Sequence, residues 1–155
     1  MLGVAFAGPW ANGPRERAHS PGTERLTGRV VEVVDGDTVV VLLESGEVER
    51  VRYIGVDTPE STSLPVECFG RRAAAATRRM VEGRMVSLEV GVEPRDDYGR
   101  LLAYVRRGDS LVNAELVRRG LARTLTIAPN DARSRLFERL ERAAARSGTG
   151  LWSLC

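Results

Sequence analysis

Apolar and polar residues alternate between residues 26 and 56, in runs rich in valine. Period-two alternation and β-branched side chains predict three strands, over residues 26–34, 38–43 and 48–56. The segments between them, Asp35-Gly36-Asp37 and Glu44-Ser45-Gly46-Glu47, have the composition of tight turns. Three strands joined by short turns predict an antiparallel meander.

The hydrophobic period changes to that of a helix after this meander. Phe69, Ala73, Ala76 and Met80 lie at helical spacing with arginines on the other faces, which predicts a helix over residues 70–81. The later pattern predicts two strands, over residues 85–92 and 101–106. It also predicts two helices, over residues 110–119 and 131–146, with an irregular segment between them over residues 121–128. The order is βββαββαα. Because five short strands are too few for two packed sheets, we expect an α+β, mainly β fold: a five-stranded OB-fold barrel with three helices, an architecture that often binds oligonucleotides.

The first 24 residues differ in composition from the rest. They are rich in glycine, proline and arginine, and we expect a disordered head. The apolar run from Leu2 to Phe6 leaves two interpretations open, a signal-peptide remnant or simply a disordered end, since no basic segment precedes it. We expect one domain over residues 25–155. No apolar run is long enough to cross a membrane, so we expect no membrane partner.

All the basic side chains other than the single histidine are arginines, and the formal net charge is only +2. Arginine binds phosphate bidentately, although genomic base composition or selection for heat tolerance explains the same bias. The small net charge argues against a protein that coats nucleic acid. A nucleic-acid partner therefore requires a local basic patch.

The two cysteines, Cys68 and Cys155, are either free thiols or a disulfide. Leu151 and Trp152 would dock the C-terminal end on the domain, which favours the bridge. A bridge closing so long a loop contributes about 4 kcal/mol of stability in the chain-entropy model. Because disulfides persist in oxidising compartments, the bridge predicts a protein that is secreted or on the exterior of the cell envelope.

Charged side chains suited to chemistry on a phosphate occur together between Arg52 and Glu60. Asp57, with Asp37 from the first turn, offers carboxylate oxygens on loops, as is typical of sites for a hard cation such as Ca²⁺. Glu60 would hold a water as general base, and Arg52 would stabilise charge on phosphorus. Alternatively, both motifs are ordinary turns and Glu60 is a surface side chain. Strand alternation separates Arg52 from Asp57, so the third strand must bend or end at Gly55.

A second group, Asp96, Tyr98 and Arg100, precedes the fifth strand. It is either structural or brings a second arginine and an aromatic ring to the phosphate. Together, the motifs resemble the staphylococcal nuclease, or thermonuclease, family. The resemblance covers roughly residues 30–152 and rests on five motifs in order: Val34-Asp35-Gly36-Asp37-Thr38-Val39, Arg52 with Val56-Asp57-Thr58-Pro59-Glu60, Asp96-x-Tyr98-Gly99-Arg100-x-Leu102-Ala103-Tyr104, Val112-Asn113-x-x-Leu116-Val117-x-x-Gly120-Leu121-Ala122, and Leu151-Trp152.

The resemblance implies an OB-fold barrel and a Ca²⁺-dependent endo- and exonuclease that hydrolyses DNA and RNA, leaving 3′-phosphate ends. By position in the motifs, it implies a catalytic trio of Arg52, Glu60 and Arg100. The implied Ca²⁺ ligands are Asp37, Asp57 and the Thr58 carbonyl. It further implies that Tyr98 contacts a phosphate, that Asp35 supports the metal ligands, and that Cys68 and Cys155 pair as in some exported relatives.

The chain departs from the best-known member of that family where the substrate binds. The loop after Glu60 is shorter and has no lysines, Asp97 replaces a basic residue, and Leu125-Thr126-Ile127-Ala128 replaces a pair of tyrosines. This predicts weaker base stacking, worth about 1–3 kcal/mol per base. The alternative functions are a non-catalytic nucleic-acid-binding module, which has no use for a water-orienting glutamate, and a structural or cell-surface module, which leaves the acidic pair and the two arginines unexplained. We expect a monomer that prefers single-stranded substrates.

Overall fold

The computed structural model describes residues 24–155, so the expectations about the head fall, apart from residue 24, outside the described residues. The strands in the described part are β1 (Arg25–Asp35), β2 (Thr38–Leu43), β3 (Val48–Tyr53), β4 (Gly55–Asp57), β5 (Met85–Arg95), β6 (Leu101–Arg107), β7 (Ser110–Leu111) and β8 (Arg123–Leu125). The helices are α1 (Gly70–Val81), α2 (Val112–Arg118), α3 (Ser134–Ser147) and the short α4 (Leu151–Leu154). Within residues 24–155, none of the helices is long and apolar enough to span a bilayer.

Five strands close into a mixed barrel. Their antiparallel order is β3-β2-β1-β5-β6, and β6 returns to β3 through a parallel pairing in which Val51 lies opposite Leu101 and Tyr53 opposite Ala103. Closure removes the unpaired edges that an open sheet would expose. The predicted α+β, mainly β fold with a five-stranded OB-type barrel is confirmed.

The alternating pattern in the sequence corresponds to the two faces of the barrel wall. Val30, Val39, Val41, Val51 and Leu88 are completely buried inside it. Fully burying side chains of this size contributes about 1.5–3 kcal/mol each, so this face holds the strands in register.

A buried asparagine attaches α2 to the barrel. Asn113 Oδ1 accepts a hydrogen bond from the Val105 N–H (2.8 Å), and its Nδ2 donates to the Ile54 carbonyl (2.9 Å). Ile54 is the residue between β3 and β4, whose carbonyl therefore has a partner although the strand ladder is interrupted there. The side chain thus fixes the break in the strand that leads to Asp57.

The strand predicted over residues 48–56 breaks after Tyr53. We expected such a break, because an unbroken strand would place Arg52 and Asp57 on opposite faces. Gly55 has φ +78°, a conformation that favours glycine, and a Cβ at this position would lie 2.6 Å from the Phe137 ring. Beyond the break, β4 pairs with β8. The irregular structure predicted for residues 121–128 is therefore wrong at Arg123–Leu125, because β4 provides a partner strand that the local sequence does not reveal.

The C-terminal end packs back onto the domain. The Leu151 N–H donates to the Gly120 carbonyl (2.8 Å), and Leu151 is 4% exposed. The two cysteines form the expected disulfide, with a Cα–Cα distance of 6.1 Å between Cys68 and Cys155. The bridge joins the end of the chain to the residues that precede α1.

Candidate active site

Asp35 lies at the end of β1, where its carboxylate organises the following turn. Its Oδ1 accepts hydrogen bonds from the Gly36 N–H (2.8 Å) and from Ser61 Oγ (2.6 Å). Gly36 packs closely on Thr58, because a Cβ at residue 36 would lie 2.7 Å from Thr58 Oγ1. The predicted turn therefore also holds the segment after β4 against the end of β1.

Asp37 is buried at 6% exposure and has a hydrogen-bond partner on each carboxylate oxygen. Its Oδ2 accepts from Thr58 N (2.8 Å) and Thr58 Oγ1 (3.0 Å), while Oδ1 accepts from Thr38 Oγ1 (3.0 Å). A buried carboxylate requires such donors. As a result, Asp37 fixes the position of Thr58 and of its neighbour Asp57.

Arg52 bridges the two carboxylates that the sequence predicts as metal ligands. Its Nη2 lies 2.9 Å from Asp57 Oδ1 and 3.3 Å from Asp37 Oδ2. Its Nη1 donates to the carbonyls of Tyr53 (3.0 Å) and Val56 (2.7 Å). These bonds orient the guanidinium group independently of any ligand, which is the preorganisation that electrostatic catalysis requires.

The backbone of Glu60 is held by Glu67. The Glu60 N–H donates to Glu67 Oε2 (2.9 Å), and the Glu67 N–H donates to the Glu60 carbonyl (3.0 Å). Gly70, the first residue of α1, lies against the same carbonyl, where a Cβ would overlap it. Burial, a hydrogen bond with Asp35 and the negative charges of Asp35, Asp37 and Glu67 raise the pKa of Glu60. A carboxylate whose pKa moves towards neutrality is a stronger general base.

Asp96 orients Arg100 and the Tyr98 backbone. Its Oδ2 accepts from Arg100 Nε (2.7 Å), and its Oδ1 accepts the N–H groups of Tyr98 and Arg100 (3.0 Å each). Burial opposes ionisation of Asp96, but the hydrogen bonds from Arg100 outweigh it and lower the pKa of Asp96. Tyr98 is 86% exposed, and the centroid of its ring lies 5.3 Å from Arg100 Cζ. One loop therefore positions both groups of the second motif.

A cleft of about 520 Å³ brings most of the predicted residues together. Its lining consists of Asp35, Asp37, Arg52, Asp57, Glu60, Tyr98 and Arg100, with Val34, Thr38, Arg50 and Thr62. Thr58 is 3% exposed and lies behind this wall, bonded to Asp37. Cys68 and Cys155 are not part of the lining. The sequence prediction missed Arg50, although it precedes Arg52 by two residues and so belongs to the same strand face.

A more apolar hollow of about 390 Å³ adjoins the cleft and shares Arg52, Tyr98 and Arg100 with it. Leu125 and Ile127 line this hollow and are 41% and 63% exposed. The segment that departs from the family pattern thus lies beside the cleft. Its aliphatic side chains offer apolar contact to a base but no aromatic face on which it could stack.

Asp37 and Asp57 offer carboxylate oxygens, the ligand type that hard cations prefer, and both oxygens nearest to Arg52 contact its Nη2. Burial raises the pKa of Asp57; Arg52 opposes this rise, and the charges of Asp37, Glu67 and Asp35 add to it. In residues 24–155, no three or more His, Cys, Asp or Glu side chains are grouped as a metal site. A cation held here would take two carboxylates and complete its shell with carbonyl and water oxygens, which Ca²⁺ accepts readily.

Comparison with known proteins agrees with this geometry. Residues 50–154 match the family model described as staphylococcal nuclease homologue. The chain is 41% identical over 125 residues to a thermonuclease of Staphylococcus intermedius, covering 79% of this chain and 74% of that protein. It is 35% identical over 144 residues to a thermonuclease of Staphylococcus hyicus, covering 92% and 85% of the two chains.

The similarity extends to another genus. Endonuclease YncB of Bacillus subtilis strain 168 is 34% identical over 141 residues, which is 87% of this chain and 66% of that protein. Two thermonucleases and an endonuclease therefore match most of the chain, and the family model covers the stretch that contains Arg52, Asp57, Glu60 and Arg100. The chain belongs to the staphylococcal nuclease family.

Proposed function

We propose that the protein is a Ca²⁺-dependent nuclease that hydrolyses phosphodiester bonds of DNA and RNA and leaves 3′-phosphate ends. The observation that carries the proposal is the single cleft lined by Arg52, Asp57, Glu60 and Arg100 together with Asp37. Two relatives that match most of the chain are named thermonucleases, which supports the same activity. A binding module would have no use for a water-orienting carboxylate beside two guanidinium groups.

In the proposed mechanism, Glu60 removes a proton from a water molecule as the water oxygen attacks phosphorus. The bond from phosphorus to the 5′-oxygen breaks, and the leaving group becomes a 5′-hydroxyl after taking up a proton. Arg52 and Arg100 donate to the non-bridging oxygens, whose negative charge increases in the five-coordinate transition state. In the same proposal, the exposed Tyr98 contacts an adjacent phosphate through its hydroxyl.

The proposed cation site uses Asp37, Asp57 and the Thr58 carbonyl, supported by Asp35. A Ca²⁺ ion held there would neutralise phosphate charge. Asp37 holds both the N–H and the hydroxyl of Thr58, so a change at Asp37 would disturb two ligands together.

The activity is tested with single-stranded DNA and RNA incubated with Ca²⁺ or with EGTA, followed by mass spectrometry of the product ends. We expect 3′-phosphate and 5′-hydroxyl ends with Ca²⁺ and no cleavage in EGTA. Glu60→Gln should lower kcat by at least about 100-fold. Glu138→Gln, which makes the same charge change on α3 away from the cleft, should leave kcat unchanged.

The alternative function predicts a different set of results. A wild-type protein that binds the strands but cuts neither of them would be a non-catalytic binding module. Full cleavage in EGTA would refute the role of Ca²⁺, and an unchanged kcat for Glu60→Gln would refute the role of that carboxylate.

We further propose that the protein acts outside the cytoplasm as a monomer and prefers single-stranded substrates. The Cys68–Cys155 bridge supports an oxidising location. The exposed aliphatic side chains in the hollow beside the cleft support weak base preference, because Leu125 and Ile127 would make apolar contacts that do not distinguish one base from another.

A further inference from the structure

The cleft contains more acidic than basic side chains. Its charged lining consists of four carboxylates and three guanidinium groups: Asp35, Asp37, Asp57, Glu60, Arg50, Arg52 and Arg100. The net charge of the whole chain is only +2. Since a nucleic-acid strand carries one negative charge per phosphate, positive side chains outside the cleft add to its affinity for this protein.

A shallow hollow of about 300 Å³ lies next to the segment that holds Glu60. It is lined by Val66, Glu67, Phe69, Arg71 and Arg72. Glu67 connects this hollow to the cleft, because its Oε2 accepts the Glu60 N–H at 2.9 Å. Residues 61–70 contain no basic side chain, so Arg71 and Arg72 are the first cations after Glu60 along the chain.

These two arginines form no ion pair in the described part of the chain, although Glu67 lines the same hollow. Among residues 24–155, neither has a carboxylate within ion-pair distance, whereas Arg52 and Arg100 are bound by Asp57 and Asp96. Both side chains are exposed. The Arg72 guanidinium lies 4.8 Å from the centroid of the Phe69 ring. Stacking on an aromatic face restrains the plane of the guanidinium and leaves its N–H edge available to another acceptor.

We propose that Arg71 and Arg72 bind a backbone phosphate of the nucleic-acid strand immediately outside the cleft, on the side of Glu60. Their planar donor groups match phosphate oxygens bidentately. Such a contact positions the strand without reading its sequence. It therefore adds affinity for strands long enough to leave the cleft and adds none for the shortest substrates. The inference rests on the proposed function for the identity of its ligand.

Helix α3 provides a matched control for charge. Arg139 and Arg142 are exposed helical arginines that form no ion pair with any residue in the described range 24–155. Neither of them lines the cleft or the hollow beside Glu60. Replacing either pair by glutamine removes two positive charges and keeps a good helix former at each position.

The test compares R71Q/R72Q with R139Q/R142Q. Fluorescence anisotropy, on an E60Q background with Ca²⁺, gives the Kd for labelled single-stranded DNA of 3 and 16 nucleotides at several salt concentrations. For R71Q/R72Q, we expect the Kd for the 16-mer to rise about tenfold at 0.1 M salt, and the slope of log K against log salt to fall by roughly 1. For the same variant, the Kd for the trinucleotide should change less than about twofold. R139Q/R142Q should change the Kd for each of the two DNA lengths by less than about twofold.

Three results would overturn the proposal. Equal weakening of DNA binding by both double variants would show an effect of net charge alone. Equal weakening by R71Q/R72Q for the 3-mer and the 16-mer would place these arginines inside the cleft. Unchanged binding by R71Q/R72Q would show that the two arginines have no role. Cleavage assays on the two pairs in the wild-type background separate this proposal from the nuclease activity. If the wild-type protein cuts no strand but the length-dependent difference in binding persists, the proposed reaction fails and the phosphate contact remains.

Discussion

Replacing Gly55 by alanine tests whether the break between β3 and β4 creates the site. An alanine at φ +78° costs about 1–2 kcal/mol of conformational energy. Its Cβ would also lie 2.6 Å and 2.8 Å from Cε2 and Cδ2 of Phe137, which is 1% exposed and has no room to move. Overpacking of this kind costs about 1–3 kcal/mol. We therefore expect Gly55→Ala to lower the free energy of unfolding by about 2–5 kcal/mol, out of the 5–15 kcal/mol typical of a domain.

Gly46→Ala isolates the first of these two costs. Gly46 lies in the turn between β2 and β3 at φ +92°, and a Cβ there would contact nothing within 4 Å. Equilibrium unfolding in urea, with the disulfide oxidised, should show Gly55→Ala to be less stable than Gly46→Ala by about 1–3 kcal/mol. Equal losses, within about 0.5 kcal/mol, would refute the contact with Phe137 as the cause.

The same pair of variants has a consequence for activity. A movement of β4 that relieves the clash with Phe137 would carry Asp57 away from its 2.9 Å contact with Arg52. We expect Gly55→Ala to lower kcat at temperatures where it is still folded, and Gly46→Ala to leave kcat unchanged. Wild-type kcat in a folded Gly55→Ala protein would show that the position of the break does not control the site.

Three further predictions concern neighbouring groups. Glu67→Ala should lower kcat about tenfold with little change in KM, because the Glu60 N–H loses its acceptor. Glu67→Gln keeps an acceptor oxygen and should retain most of the activity. Equal losses in both variants would refute the role of that hydrogen bond. Folding raises the pKa of Glu60, so the contribution of this side chain to stability decreases as pH rises from about 4.3 through the higher folded value. In EGTA, the free energy of unfolding of Glu60→Gln relative to wild type should therefore be higher at pH 7 than at pH 4. The opposite trend would contradict the raised pKa. The intact protein should have a mass about 2 Da below that of the dithiol form, and an equal mass would exclude the bridge. Reduction of the bridge should lower the free energy of unfolding by about 2–5 kcal/mol.

The barrel was predictable from sequence because its strands are half-buried and alternate with period two. Val39, Val41 and Val51 fall on the buried face as their spacing predicts. By contrast, β8 was not predictable, because Arg123–Leu125 has no alternation of its own and is a strand only where β4 lies beside it. The prediction of a helix from residue 110 was wrong at residues 110 and 111, which form β7. Their pairing with β6 depends on the chain folding back, so the local sequence does not reveal it.

Sequence motifs predicted that Asp37, Arg52, Asp57, Glu60 and Arg100 share a site, and the structure brings these five side chains to one cleft. They were not enough to identify Arg50 in the cleft wall or the separate hollow that Arg71 and Arg72 line with Glu67. Proximity between residues far apart in sequence is decided by closure of the barrel and packing of α1, and neither leaves a local signal.

By itself, the sequence determined the order of the five barrel strands and the three longer helices, the need for a break in the third strand before Asp57, and the family to which the chain belongs. These features depend on local chemistry: side-chain periodicity, turn composition and motif spacing. Only the tertiary structure decided that Arg52 bridges Asp37 and Asp57, that Glu67 holds the backbone of Glu60, and that Arg71 and Arg72 line a hollow with Glu67. Such contacts are set by distances across the closed barrel, which no one-dimensional pattern specifies.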